Sequence, residues 1–309
     1  MSGAGLALST GLAVAALLNL WYKWAVQCVK EHLLTGIDRI IENALAEDIH
    51  TGDITTLAVV RRCRAACAIL KAKEEMILAG IDVAARVFHL LDEGVVFTPG
   101  FTDGDRLATG DIIARITGDA AILLQGERVA LNLLQRMCGI ATVTARYVEA
   151  VRGTKARVVD TRKTTPGLRV LEKYAVRVGG GTNHRTGLYD GVLIKENHIT
   201  AAGGLTEAVR RAKCYIPHTM KVEVETETLA QVTEALAAGA DIIMLDNMTT
   251  ATMREAVALI GERALVEASG GVNLDSIRGI AETGVDIISV GALTHSARAM
   301  DISMLMEGS

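Results

Sequence analysis

From Ala156 onward, short runs of β-branched and apolar residues alternate with polar ends, and the polar ends give way to Ala-rich stretches. The runs are ARVVDTRK, GVLIKENH, KVEVETE, DIIMLDN, ALVEASGG and DIISVGA, ending at Asp160, Lys195, Glu225, Asp246, Ser269 and Val290. Leu229 to Ala238 and Met253 to Ile260 fill two of the gaps at helical spacing. Strand, polar end and helix, repeating at about 20 to 35 residues, predict parallel βα units. In a parallel barrel the residues just past the strand ends gather around one mouth. An open doubly wound sheet would place its glycine-rich turn after the first strand, whereas here the glycine-rich ends come last, so the pattern favours the barrel.

The first half of the chain reads differently. Ile37, Ile40, Ile41, Ala44 and Leu45 share one helical face that stops in the Thr51-Gly52-Asp53 turn. Between Ala65 and Ile116 come the β-like runs AACAIL, GVVF and DIIARI, a helix-like stretch from Asp82 to Leu91, and turns at Pro99-Gly100 and Asp103-Gly104. Leu123 to Tyr147 is apolar at helical spacing and predicts a long helix, broken near Gly139, that leads into the barrel. The expected division is an apolar helical extension over 1–36, a small α/β domain over 37–140 on which the C-terminal tail can pack, and a barrel over 141–300.

Composition narrows the functional classes. A net charge of -4 over 309 residues provides no global basic field, so nucleic acid is not an expected partner and any anion site must be local. The five cysteines are scattered, odd in number and without a CxxC pair, which argues against a disulfide framework or zinc site and fits a reducing cytosol. Met1 to Tyr22 contains no charged side chain, and residues 3–22 are long enough for a membrane tether. The stretch is rich in Ala, Gly, Ser and Thr and lacks the basic n-region and clear cleavage site of a secretory signal, so a buried or interfacial helix is the expectation, and a cytoplasmic location with it.

The strand ends carry the candidate chemistry. DTRKTTPGLR brings Thr161, Arg162 and Lys163 to the first of them, with Arg169 shortly after; a guanidinium fork suits a carboxylate and an ammonium is a compact positive charge. His184 and Arg185 follow Gly179, Gly180 and Gly181, and Lys195 ends the buried VLI run. A lysine there is hard to explain as mere solubilisation. Glu223 and Glu225 alternate along one strand and face the same side, and Asp246 ends the next strand with Asn247 after it. Carboxylates beside a cationic mouth suit Mg2+ shared with substrate oxygens, with Glu225 and Asp246 as ligands; they could equally neutralise Lys195 or Arg185. Ser269, Gly270 and Gly271, then Val290, Gly291 and Ala292, place small residues before helices, where backbone N–H groups can hold phosphate. Arg128, beside Glu127 on a helix, has the pattern of a surface ion pair.

These segments together resemble the quinolinate phosphoribosyltransferases, the type II phosphoribosyltransferases that act as carboxylating nicotinate-nucleotide pyrophosphorylases. The likeness runs from Ala44 to Ile302 through ALAEDIHTGDITT, GERVALNLLQRMCGIAT, DTRKTTPGLR, GGGTNHR, DGVLIKENHI, VEVET, IMLDN, EASGGV and SVGALTHS. It implies an N-terminal α/β sandwich and an incomplete β/α barrel. It also implies a homodimer with shared active sites, able to assemble further to a hexamer, with quinolinate and phosphoribosyl pyrophosphate (PRPP) as substrates. By this resemblance Arg128 reaches across the dimer interface, and Thr161, Arg162, Lys163, His184, Arg185 and Lys195 fall on the substrate pocket. Glu225 and Asp246 correspond to the Mg2+ and ribose-side acids, acting with Lys195 in catalysis, and the two small-residue turns correspond to the phosphate loops. His50 departs from the family signature, which has glycine at that position. A related transferase of another anionic base, or a paralogue without catalysis, would be expected to lose some of these cationic and acidic residues, and none is missing.

Overall fold

The computed structural model describes residues 36–60 and 64–307, so the apolar stretch over residues 3–22 lies outside the described residues. The first described helix, α1 (residues 36–49), buries Ile37, Ile41 and Leu45. It ends at His50, whose φ of 41° lies in the left-handed region. The left-handed region is open to glycine without penalty, so the position where this sequence departs from the family signature is one whose backbone favours the missing glycine. Asp53 then caps α2 (Ile54–Val59) by accepting from Thr56 N at 3.0 Å.

Two sheets organise the rest. The first is antiparallel, in the order β12 (Ile302–Glu307), β1 (Ala65–Ala72), β5 (Ile112–Asp119) and β3 (Val96–Pro99). Alternating burial along β1 turns Ala68, Leu70 and Ala72 inward. A separate two-stranded ribbon pairs β2 (Met76–Ile77) with β4 (Arg106–Leu107), with α3 (Ile81–Leu91) and β3 between them in the chain. The α3 N-terminus is capped from a distance, because Asp103 accepts from the N–H groups of both Gly80 and Ile81. Sequence pattern alone left β12 as a tail; in the structure it pairs antiparallel with β1 from Cys67↔Glu307 to Ala72↔Ile302.

The second sheet is wholly parallel: β6 (Arg157–Val159), β11 (Ile287–Ser289), β10 (Leu265–Ser269), β9 (Ile242–Asp246), β8 (Val222–Thr226) and β7 (Val192–Ile194). These are the six runs read from the sequence. A seventh barrel position is reduced to one bridge, Val159 with Thr182, so the wall is incomplete between that bridge and β7. Around the sheet stand α5 (Arg169–Val178), α6 (Glu196–Ala202), α7 (Leu205–Tyr215), α8 (Leu229–Ala237), α9 (Thr250–Ile260), α10 (Ile277–Ala281) and α11 (Ala292–His295). Thr228 and Thr249 cap α8 and α9 by accepting N–H bonds, as their positions ahead of the Ala-rich stretches require. The fold is an α/β sandwich joined to an incomplete β/α barrel.

The joint is α4 (Ala120–Ala150), about 46 Å long at the helical rise. It packs on β1, β5 and β12 of the first sheet and on α5 of the barrel. The break expected near Gly139 does not occur, and the helix runs straight through it. The glycine serves a close approach instead: a Cβ there would lie 1.9 Å from the Arg298 carbonyl oxygen. Met300 N, bonded to Gln135 O, and Gln135 Nε2, bonded to Ile302 O, then fasten the returning chain to α4. Among the described residues no helix is long and apolar enough to cross a membrane.

Candidate active site

A cavity of about 650 Å3 opens at the C-terminal ends of the parallel strands. Thr161, Arg162, Lys163, His184, Arg185, Lys195, Glu225, Asp246, Ser269, Gly270, Gly271, Gly291 and Ala292 all line it. Two expected residues stand elsewhere. Val290 is buried in the barrel wall, 1% exposed, since a residue between a strand end and a tight turn points its apolar side chain inward. Arg128 lies on α4 outside the cavity of its own chain, its side chain 59% exposed and 3.9 Å from Glu127.

Beneath the cavity, Asp160 is fully buried and turned away from it. It accepts from Lys173 Nζ at 2.6 Å, Asn183 Nδ2 at 2.7 Å and His184 N at 2.9 Å. Lys173 also donates to the His184 carbonyl at 3.0 Å. Burial raises the Asp160 pKa against the opposing pull of Lys173. This ion pair holds the backbone that presents His184 and Arg185, and it explains an aspartate that the strand-end pattern alone placed at the mouth.

His184 Nε2 lies 3.0 Å from Glu223 Oε2 and 3.6 Å from Glu267 Oε2. Both glutamates are buried, 4% and 1% exposed, and each leaves its Oε1 without a partner. Burial, and then the Glu223 carboxylate, push the Glu267 pKa up to about 8. Burial works against an imidazolium at His184, but the bond to Glu223 and the charge of Glu267 outweigh it and raise that pKa too. The three side chains lie close enough to bracket a metal ion. The hydrogen bonding argues against one, because His184 Nδ1 accepts from Arg185 N at 2.9 Å, so Nε2 carries the proton and has no lone pair to offer. Burial beside Glu223 favours the protonated form of Glu267, and the three groups titrate as a coupled set.

Above this floor the charge is positive. The Arg162 Nε is buried without a hydrogen-bond partner, and Arg185 spends one N–H on the Gly191 carbonyl at 3.1 Å. Burial, and then the neighbouring Arg162 guanidinium, hold the Arg185 pKa below its usual value. Two guanidiniums that oppose one another in a half-buried pocket are stabilised when an anion enters between them. At the rim Lys195 Nζ pairs with Glu225 Oε2. Glu225 stands opposite Met244 in the ladder, so Asp246, two residues on, faces the same side of the sheet and reaches the cavity beside it. Asn247 Nδ2 donates to Asp246 Oδ2 at 2.7 Å, and the remaining Glu225 and Asp246 oxygens are of the type a hard cation takes.

The phosphate-side turns are tight. Gly270 has φ 91°, and a Cβ on it would lie 2.2 Å from the Asn247 side chain. Gly291 leaves room for the Lys163 stem, which a Cβ would meet at 3.2 Å. The helices that follow are short, α11 beginning at Ala292 and α10 only at Ile277, so the turns themselves rather than long helices present the N–H groups. Asn247, named only as the residue after Asp246, also lines the cavity, as do Glu267, Ser289 and His295, which were not singled out from the sequence. For Glu267 a signal existed: it is an acid two residues before Ser269 inside an apolar strand, and so on the same face.

A barrel mouth with four full cations, two rim carboxylates and small-residue turns defines an enzyme of small polyanionic substrates. Residues 53–138 match the N-terminal domain, and residues 140–305 the C-terminal domain, of quinolinate phosphoribosyl transferase. The chain therefore belongs to the quinolinate phosphoribosyltransferase family. It is 47% identical over 270 residues to the probable nicotinate-nucleotide pyrophosphorylase [carboxylating] of Bacillus subtilis (strain 168), covering 87% of this chain and 92% of that protein. It is 41% identical over 295 residues to the chloroplastic nicotinate-nucleotide pyrophosphorylase [carboxylating] of Arabidopsis thaliana, covering 89% and 84%. The crystal structure of NadC from Streptococcus pyogenes superposes with a TM-score of 0.84 at 48% identity, covering 87% of this chain and 95% of that one.

Proposed function

We propose that this cavity binds quinolinate and PRPP side by side, the cations above the floor taking the carboxylates and the small-residue turns taking the phosphates. The reaction is that of the family: phosphoribosyl passes from PRPP to quinolinate with decarboxylation, giving nicotinate mononucleotide, pyrophosphate and CO2 for NAD biosynthesis. The observation that carries the reading is the pair Arg162 and Arg185, half-buried, mutually opposed and with an unpartnered Nε on Arg162. Arg162, Arg185 and Lys195 grip the two carboxylates, and His184, set by Glu223, fixes the edge of the ring. Lys163, Ser269 to Gly271 and Gly291 to Ala292 hold the phosphates. With the pyridine nitrogen so aligned on the anomeric carbon, positioning supplies a large part of the acceleration. Positive charge developing on the ribose is stabilised by Glu225 or Asp246. Loss of the 2-carboxylate as CO2 from the alkylated ring leaves its electron pair on the ring carbon as an ylide, stabilised by the adjacent cationic nitrogen. A proton from solvent then quenches it, so the site need only hold the adduct.

Glu225 and Asp246 fit Mg2+ by donor type and by their shared face. When bound there, Mg2+ supplies charge neutralisation to the departing pyrophosphate. Arg128, exposed and distant from its own cavity, suits a contribution to a second copy's site in a homodimer. The free thiols of Cys67, Cys138 and Cys214 suit a reducing, cytoplasmic location. The test is CO2 release from quinolinate labelled at the 2-carboxylate, omitting PRPP or Mg2+ in turn and offering nicotinate in parallel. Release that needs all components, with nicotinate inert, is the expected result. No release from folded, PRPP-binding protein would overturn the substrate.

A further inference from the structure

The segment over residues 161–168 carries Thr161, Arg162 and Lys163 into the cavity, yet it has no regular structure and few bonds of its own. Two arginines that do not line the cavity brace it from behind. We propose that they are positioning residues with separate clients: Arg169 sets the Arg162 end for quinolinate, and Arg136 sets the Lys163 end for the phosphates of PRPP. The inference rests on the two-substrate reading above.

At the first end, Arg169 Nε donates to Thr164 Oγ1 at 2.9 Å, Nη2 to the Arg162 carbonyl at 3.4 Å and Nη1 to the Thr186 carbonyl at 3.1 Å. One guanidinium thus ties the backbone of Arg162 to the segment that presents His184 and Arg185. All three of those side chains line the cavity, so their mutual spacing depends on this tie. At the second end, Arg136 on α4 donates through Nε and Nη2 to Glu172 Oε1, at 3.1 and 2.9 Å, through Nη1 to the Ala297 carbonyl at 2.7 Å, and through Nη2 to the Thr294 carbonyl. Glu172, fully buried, accepts Thr165 N on its other oxygen at 3.1 Å. Thr294 Oγ1 completes the circuit by donating to the Lys163 carbonyl at 2.8 Å. Lys163 and the turn from Gly291 to His295 are therefore one assembly, hung from α4 and α5.

In both places the planar fork of arginine spans several acceptors that a single ammonium cannot reach together. Lysine at 136 or 169 keeps the charge and loses the span, which makes it the informative substitution. Binding of PRPP with Mg2+, and separately of quinolinate, is measured by calorimetry on the full chain, with KM for each substrate in turnover. Arg136→Lys is expected to weaken PRPP about tenfold, equivalent to about 1.4 kcal/mol, and to leave quinolinate within about twofold. Arg169→Lys is expected to do the reverse. If Arg136→Lys folds poorly, Thr294→Val deletes only the hydroxyl that holds Lys163 and has the same expected effect on PRPP. Variants that shift both ligands alike, or neither ligand in folded protein, would overturn the inference while the two-substrate reading stands. A wild-type chain that binds neither ligand would remove that reading, and the inference with it.

Discussion

Replacing Lys173 with methionine tests whether the buried pair with Asp160 supports the site electrostatically. Asp160 is fully buried, and burial already raises its pKa while Lys173 is present. Without the ammonium, the carboxyl takes up a proton at neutral pH sooner than remain charged in that place. The electrostatic cost is then bounded by protonating a group of ordinary value 3.8 at pH 7. At about 1.4 kcal/mol per pH unit this is about 4 kcal/mol, within the range of about 3–5 kcal/mol for breaking buried pairs. The same arithmetic leaves about 1.5 kcal/mol at pH 5. Loss of the bond to the His184 carbonyl adds about 1 kcal/mol at either pH. In the variant the folded-state pKa exceeds the unfolded one, so stability is retained at low pH and lost as pH rises. Urea unfolding followed by circular dichroism at pH 5, 6 and 7 should therefore show a deficit that grows with pH. Asp160→Asn combined with Lys173→Met should abolish the growth. A deficit below about 1 kcal/mol, or one of equal size at all three pH values, would refute the reasoning.

The same linkage operates at Glu267, whose folded pKa of about 8 stands above the ordinary 4.5, so the stability it confers is present below pH 4.5 and lost between pH 4.5 and 8. Glu267→Gln should flatten the fall in melting temperature across that window without abolishing it, because His184 titrates with the same sign. His50→Gly should raise denaturant stability by about 0.5 kcal/mol, the relief of a left-handed φ less the added freedom of glycine in the unfolded chain. Catalysis shared between two copies predicts that mixing inactive Arg128→Ala and Lys195→Ala chains restores part of the activity. No recovery in proven mixed dimers would mean that Arg128 does not act across the interface.

Much of the barrel was legible because a parallel strand buried on both faces must be a short apolar run, and its polar end must lie at the mouth. Arg162, Lys195, Glu225, Asp246 and Ser269 follow from that rule, whereas His184 and Arg185 are marked instead by the glycines before them. What stayed hidden depends on contacts between distant segments. The barrel position at Thr182 is one bridge after three glycines, with no apolar run to mark it. Gly139 looks like a helix breaker until the Arg298 carbonyl is seen against it. Arg136 and Glu172 read as ordinary helix charges, since nothing in their neighbourhoods along the chain reveals that Thr165, Thr294 and Ala297 meet them. Asp160 had the right address and the wrong orientation, because its orientation is decided by Lys173 on the next helix.

The return of β12 to β1 also sets an order of events during synthesis. Arg115 on β5 and Glu307 on β12, paired at 2.7 Å, are 192 positions apart. At about 5–20 residues per second, roughly 10 to 40 s pass between their departures from the ribosome. Through that interval β1 has β5 on one side and an open edge on the other, while the whole barrel is being made. The first sheet is thus completed only by a strand made after the barrel, and a nascent chain halted within the barrel is left with an unfinished edge in the part already synthesised.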